Sequence, residues 1–179
     1  MACRLIREKG IAEFVEAAKL LRKSDIQARF WLVGEPDLGN PACISKKQLE
    51  AWKKEKIVEF LGHRLDMPQL LQQSHVAILS SFYGEGVPRF LLEAAATGLP
   101  LVATEIEGCQ LVVKEGINGF LVPPKNSQAL ANALKKLLID EDLRKQFGKA
   151  SRHIATSKFD EQKIFNQYEA LYRSMGILL

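Results

Sequence analysis

The sequence predicts an α/β fold, a doubly wound parallel sheet with helices on both faces. Three observations carry that expectation. Short apolar, β-rich runs recur along the chain, most of them are separated by segments of helical periodicity, and the runs are continuously apolar instead of alternating. Continuous apolar runs are what strands show when both faces of a parallel sheet are covered. The runs are CRLI (3–6), ARFWLVG (28–34), KIVEFLG (56–62), HVAILSS (75–81), LPLVAT (99–104) and NGFLV (118–122), giving about six parallel strands.

Taken in order, CRLI opens the sheet and GIAEFVEAAKLLRKS (10–24) reads as the first crossover helix. Two strands follow at 28–34 and 56–62, then the helical MPQLLQQS (67–74) and the strand 75–81. FYGEGV is the loop after that strand. Pro88 suits a first helical position, having a fixed φ and no N–H to leave orphaned, while Gly98 suits a left-handed stop and Pro100 blocks continuation. A helix is therefore expected over 88–97. After the strand at 118–122 only helices are expected, over 127–155 and 160–175, with Asp140-Glu141-Asp142 as an inter-helix cap.

The chain has 179 residues, 47% of them hydrophobic, which fits one globular domain over 1–179. No apolar run approaches the roughly 20 residues of a membrane span, and no leader pattern opens the chain, so a cytoplasmic location is expected. Cys3, Cys43 and Cys109 match neither a disulfide framework nor a zinc site, and no metal is implied. The net charge of +4 is spread among glutamates along helical segments, and the aromatics sit in apolar runs, so nucleic-acid binding is not expected.

In such a sheet, ligands bind outside the carboxyl ends of the strands, where loops lead into helix amino termini. The helix after FYGEGV offers unpaired amides and a positive dipole end to an anion, and Gly84 and Gly86 allow close backbone approach. Glu93 lies inside the apolar PRFLLEAAAT. It is either an i,i+4 partner of Arg89 or an acceptor for paired hydroxyls such as those of a ribose, and composition leaves both open. Glu85 sits in front of the helix end, where a negative charge is also favourable without any ligand.

Glu85 and Glu93, separated by seven residues and followed by AAATGLPLVAT, closely resemble the EX7E segment of retaining GT-B glycosyltransferases of family four, group 1 type. CRLIREKG resembles that family's first strand and loop, with Arg4 and Lys9 as its basic pair. ARFWLVGE, VEFLGH and VVKEGINGFLVPPKNSQALANAL resemble its later strands and closing helix, so the likeness covers nearly the whole chain. It implies the Rossmann-like, carboxyl-terminal, nucleotide-sugar-binding half of an enzyme of bacterial surface polysaccharide or lipopolysaccharide synthesis.

By that resemblance Arg4 and Lys9 hold the donor diphosphate, Glu93 the ribose and Glu85 the transferred sugar. The amides of Arg89, Phe90 and Leu91 face the phosphates beside Gly86 and Val87, and Gly34 and His63 lie near the base. The donor is a nucleotide-diphosphate sugar, expected to be a UDP-sugar, and no metal or organic cofactor is implied. A saccharide or lipid-linked acceptor would sit mostly on an absent amino-terminal domain, with peripheral membrane association of the full-length enzyme and residues 158–179 packing back onto that domain. The sequence is thus read as a cut or natural fragment, inactive alone. Val87 and Pro88 depart from the family's usual aromatic and glycine, removing one amide.

Rival readings are a binding module without catalysis and a sugar-nucleotide epimerase of the same fold. A dinucleotide oxidoreductase is disfavoured because the glycines of YGEGVPR follow a late strand, and a serine hydrolase because no GxSxG elbow exists.

Overall fold

The computed structural model describes residues 1–84 and 86–176. Its five strands are all parallel: β1 (Phe30–Val33) pairs with β2 (Val58–Gly62), and β3 (Ala77–Leu79), β4 (Leu101–Thr104) and β5 (Gly119–Val122) form a second ladder in that order. The α/β expectation holds. The expected first strand does not form as a strand: residues 1–5 run alongside β1, with the Cys3 amide donating to the Val33 carbonyl and the Leu5 amide to Glu35, yet only the single bridge Ala2 to Val33 results. The segment then turns at Ile6, whose amide donates back to Arg4 and which bridges Cys43 instead of continuing along β1.

The helices are α1 (Ile11–Lys23), α2 (Lys46–Glu55), α3 (Met67–Gln72), α4 (Arg89–Thr97), α5 (Glu107–Val112), α6 (Ser127–Ile139), α7 (Glu141–Lys158) and α8 (Glu161–Ser174). Of these α2 and α5 lie in stretches that no expected element covered. α2 buries only Leu49 and Trp52 among charged residues, so its apolar signal is thin; Ser45 caps it by accepting from the Gln48 amide. α5 is one and a half turns and carries a glycine, which hides helical periodicity.

Two apolar layers cover the sheet. On one side α1 and α6 bring Phe14, Leu21, Leu130, Leu134 and Leu137 against Phe30 and Leu32 of β1. On the other, α4 and α5 bring Leu91, Ala94, Ala95 and Cys109 against Leu79, Leu101 and Ala103. Burying such side chains contributes about 1.5–3 kcal/mol for each large one, the main favourable term in the fold. α7 reaches both layers through Phe147 and Ala155, and Asp140 caps it by accepting from the Leu143 amide, as the expected inter-helix cap requires.

α4 begins one residue later than expected. Pro88 is the extended residue before the helix, at φ −71° and ψ 112°, while Gly98 ends it in the left-handed region at φ 84°. There α7 crosses closely: a Cβ on Gly148 would stand 2.3 Å from the Gly98 carbonyl oxygen. Alanine is ordinarily better than glycine inside a helix by about 1 kcal/mol. Here the clash with rigid backbone reverses the sign, and Gly148→Ala is expected to destabilise by about 1–3 kcal/mol, lowering the melting temperature by several degrees. A calorimetric melt checks it.

Met1 is largely buried, and its amino group donates to the Trp31 carbonyl at 2.9 Å. Burial lowers its pKa from 8.0 to about 6. Between those values the unfolded chain holds a proton that the folded chain has released, so stability is greatest above pH 8 and falls as the pH drops toward 6. The loss for the 179-residue chain is expected to be on the order of 2–3 kcal/mol; melts at pH 6 and 8 of the chain with free and with acetylated amino group measure it, the acetylated form losing this dependence.

Candidate functional site

The carboxyl ends of the strands lie on one edge, and the loops leaving them are joined by polar groups set on the strand ends. The segment after Cys3 closes in a 3-10 turn, Arg7–Lys9, and Gly10 starts α1 at φ 68°. A Cβ on Gly10 would lie 1.9 Å from the Ser80 carbonyl oxygen, so only glycine lets this turn rest on the end of β3.

Ser80 and Ser81 hold it there. Ser80 Oγ donates to the Gly10 carbonyl at 2.8 Å, Ser81 Oγ donates to the Glu8 carbonyl at 3.1 Å, and the Phe82 amide donates to the same carbonyl at 2.9 Å. Thr104 at the end of β4 donates its hydroxyl to the Ser81 carbonyl. All three hydroxyl side chains are buried. One oxygen of the Glu8 carboxylate is also buried, with no hydrogen-bond partner among the described residues.

This clasp brings together two segments that the sequence singles out separately: the loop carrying Arg4 and Lys9, and the loop leading to α4. Lys9 is half-buried at the end of the turn. Arg4 is exposed and pairs with Asp37 of the loop after β1 at 2.9 Å. That loop is itself set by Gly34, at φ 135°, where a Cβ would meet the Cys3 carbonyl oxygen at 1.9 Å. The Gly34 amide donates to the Gly62 carbonyl at 2.8 Å, so the Gly34 and His63 loops are neighbours. His63 is exposed, and beside it Arg64 makes two bonds to Asp66, at 2.8 and 2.6 Å, which hold the Asp66 carboxyl below the usual range.

At the amino end of α4, the amides of Leu91 and Leu92 both donate to the Pro88 carbonyl, at 3.0 and 3.2 Å. This corrects one expectation. The Leu91 amide is used inside the helix and its side chain is fully buried, which leaves Arg89 and Phe90 as the open first-turn amides. Gly86 and Val87 are exposed, and no atom lies within 4 Å of a Cβ built on Gly84 or Gly86, so this loop has open space around it. Glu93 is on the exposed edge of α4, its carboxylate 3.8 Å from the Arg89 guanidinium, and not in the core. Glu85 lies outside the described residues.

Sequence reasoning missed the clasp. The available signal is two hydroxyl residues, Ser80 and Ser81, closing an apolar strand, which marks a place where backbone polar groups need partners. Lys125, whose ammonium lies 4.6 Å from the Phe82 ring, was likewise missed, since its loop leaves β5 far along the chain. Among the described residues no group of His, Cys, Asp and Glu has the arrangement to hold a metal ion, and no helix is long and apolar enough to cross a membrane.

The family described as Glycosyl transferases group 1 matches residues 1–154, most of the chain. The chain belongs to that family. As a group 1 transferase chain it is 36% identical over 172 residues to the N,N'-diacetylbacillosaminyl-diphospho-undecaprenol alpha-1,3-N-acetylgalactosaminyltransferase of Campylobacter jejuni, which covers 96% of the chain and 43% of that protein. It is 31% identical over 179 residues to the UDP-Gal:alpha-D-GlcNAc-diphosphoundecaprenol alpha-1,3-galactosyltransferase of Escherichia coli, covering 99% of the chain and 45% of that protein. The crystal structure of Anabaena HepE in complex with UDP superposes with a TM-score of 0.84 at 28% identity, over 96% of this chain and 47% of that one. This group 1 chain therefore spans less than half the length of these relatives, and its fold is the Rossmann-like half of a GT-B glycosyltransferase.

Ser80→Ala removes the hydroxyl that ties β3 to the Lys9–Gly10 turn and leaves the buried carbonyls there short of a donor. A loss of about 1–3 kcal/mol is expected, with faster hydrogen exchange at the Phe82 amide, read by thermal melts and amide exchange.

Proposed function

We propose that this chain is the donor-binding domain of a retaining glycosyltransferase that takes a sugar from a nucleotide-diphosphate sugar, a UDP-sugar, and passes it to a saccharide or lipid-linked acceptor in bacterial surface polysaccharide or lipopolysaccharide synthesis. The observation that carries the reading is the clasp through the Glu8 carbonyl, which joins the loop of Arg4 and Lys9 to the loop entering α4. Anionic groups bound between them would meet two cations and the open amides of Arg89 and Phe90. The names of the relatives, one a UDP-Gal transferase and one a UDP complex, support a uridine nucleotide.

The chemistry follows from charge. As the bond to the sugar breaks, negative charge grows on the departing diphosphate, and Arg4, Lys9 and the positive end of α4 stabilise it more in the transition state than before. Arg4 leaves an exposed pair with Asp37 to do so, a pair contributing at most about 1 kcal/mol. Glu93, exposed and 3.8 Å from Arg89, turns to the ribose hydroxyls at similarly small cost; Glu85 orients the transferred sugar; Gly86 and Val87 flank the phosphates, and Gly34 and His63 border the base.

The acceptor site belongs to an amino-terminal domain on which α8 packs. α8 buries none of its residues and exposes Ile164, Phe165, Tyr168, Leu171 and Tyr172 along one stripe, which supports that role. The full-length enzyme works in the cytoplasm, at the inner face of the membrane when its acceptor is lipid-linked.

Titration of the chain with UDP by calorimetry is expected to give a Kd of about 10–1000 μM, weak because half a cleft leaves the ligand exposed. Glu93→Gln is expected to weaken UDP by about tenfold or more with the melting temperature nearly unchanged, whereas Glu85→Gln leaves UDP binding intact and lowers kcat in the full-length enzyme. Unchanged UDP affinity in a folded Glu93→Gln variant removes the ribose assignment. The isolated chain is expected to transfer no sugar, and turnover by it overturns the half-enzyme reading.

A further inference from the structure

Among the described residues, three other than glycine have positive φ: Asp25, Lys56 and Lys125. Asp25 and Lys56 follow the carboxyl ends of α1 and α2, where a left-handed residue is an ordinary helix stop. Lys125 ends no helix. It stands at φ 58° between β5 and α6, in a conformation that glycine adopts with least strain. Its side chain is exposed, its ammonium lies 4.6 Å from the centre of the Phe82 ring, and no carboxylate among the described residues pairs with it. An exposed cation–π contact is weak and easily exchanged, so the ring places the charge without neutralising it.

Phe82 sets where that charge stands. Its amide donates to the Glu8 carbonyl, next to Lys9, and the chain after it is the loop that enters α4. The Arg7–Lys9 turn continues the segment that runs along β1, whereas β5 lies beyond β4 on the other side of β3. The loop into α4 therefore receives cations from two directions, Lys9 from the β1 side and Lys125 from the β5 side.

We propose that Lys125 is a third phosphate-binding cation of the donor site, one that meets the terminal phosphate of the nucleoside diphosphate. The assignment rests on the donor-binding reading and deepens it. With the base bordered by the Gly34 and His63 loops, which follow β1 and β2, the nucleotide runs across the strand ends toward β5 with its terminal phosphate foremost. Lys9 then faces the diphosphate from behind and Lys125 from in front, and the ammonium leaves the Phe82 ring for a phosphate oxygen, with which it makes a stronger, charge-assisted bond. A turn alone would be served best by glycine at this position; a lysine held there in the left-handed region is accounted for by the charge it carries.

The test titrates the chain and its Lys125→Gln, Lys125→Arg and Lys125→Gly variants with UDP and with UMP, which lacks the terminal phosphate, followed by amide NMR so that millimolar affinities are read. Lys125→Gln is expected to weaken UDP by about fivefold or more and to leave UMP within about twofold, while Lys125→Arg keeps most of the UDP affinity. Lys125→Gly is expected to weaken UDP equally with a melting temperature no lower than that of the unsubstituted chain, because the turn is relieved while the charge is lost. Unchanged UDP affinity in Lys125→Gln overturns the proposal, as does an equal loss for UMP. A Lys125→Gly variant that loses UDP together with its melting temperature assigns Lys125 to the turn and overturns it as well. If the unsubstituted chain binds no UDP, the donor-binding reading itself falls, and this assignment with it.

Discussion

The carbonyl oxygen of Glu8 accepts two hydrogen bonds from the end of β3, one from the Phe82 amide and one from the Ser81 hydroxyl, and the geometry of the candidate site depends on them. A carbonyl has two lone pairs, and both are used to hold one loop against another. The close approach is possible only because Gly10 has no side chain to strike the Ser80 carbonyl. Thr104 extends the tie to β4. Two strand ends and the Arg7–Gly10 turn are thus locked together by short hydroxyl side chains, while the charged groups that would meet a ligand stand on loops outside the lock.

That division separates rigidity from exchangeability. The clasp is buried, and breaking it leaves polar groups without partners, so it does not yield to a passing ligand. The ion pairs of the site are the opposite. Arg4 with Asp37 and Arg89 with Glu93 are exposed and weak, and each can trade its partner for a phosphate or hydroxyl at little expense. A frame of this kind holds the backbone at the strand ends in place, while the charged side chains on the loops outside it can change partners.

Apolar surface is left uncovered on α8, whose stripe at helical spacing includes no buried residue. Elsewhere α7 shows the reverse: Gly148 lets it lie directly on the Gly98 carbonyl, and its buried residues serve both apolar layers at once.

The sequence by itself determined the α/β class, the parallel direction of the strands, the limits of α4 to within one residue and the family, because these follow from apolar periodicity, from proline and glycine punctuation, and from a spaced pair of glutamates. It did not reveal α2 or α5, whose short and polar or glycine-bearing segments carry little periodic signal. It could not say whether Glu93 was buried; the helix reads apolar on nearly every side, and only the placement of α5 and α7 around α4 leaves that edge open. Nor could it disclose the clasp, since Glu8 and Ser81 are 73 residues apart and the Glu8 group involved is a backbone carbonyl that every residue possesses. Side-chain types are written in the sequence, but which backbone oxygen a serine reaches is decided only when the strands are packed.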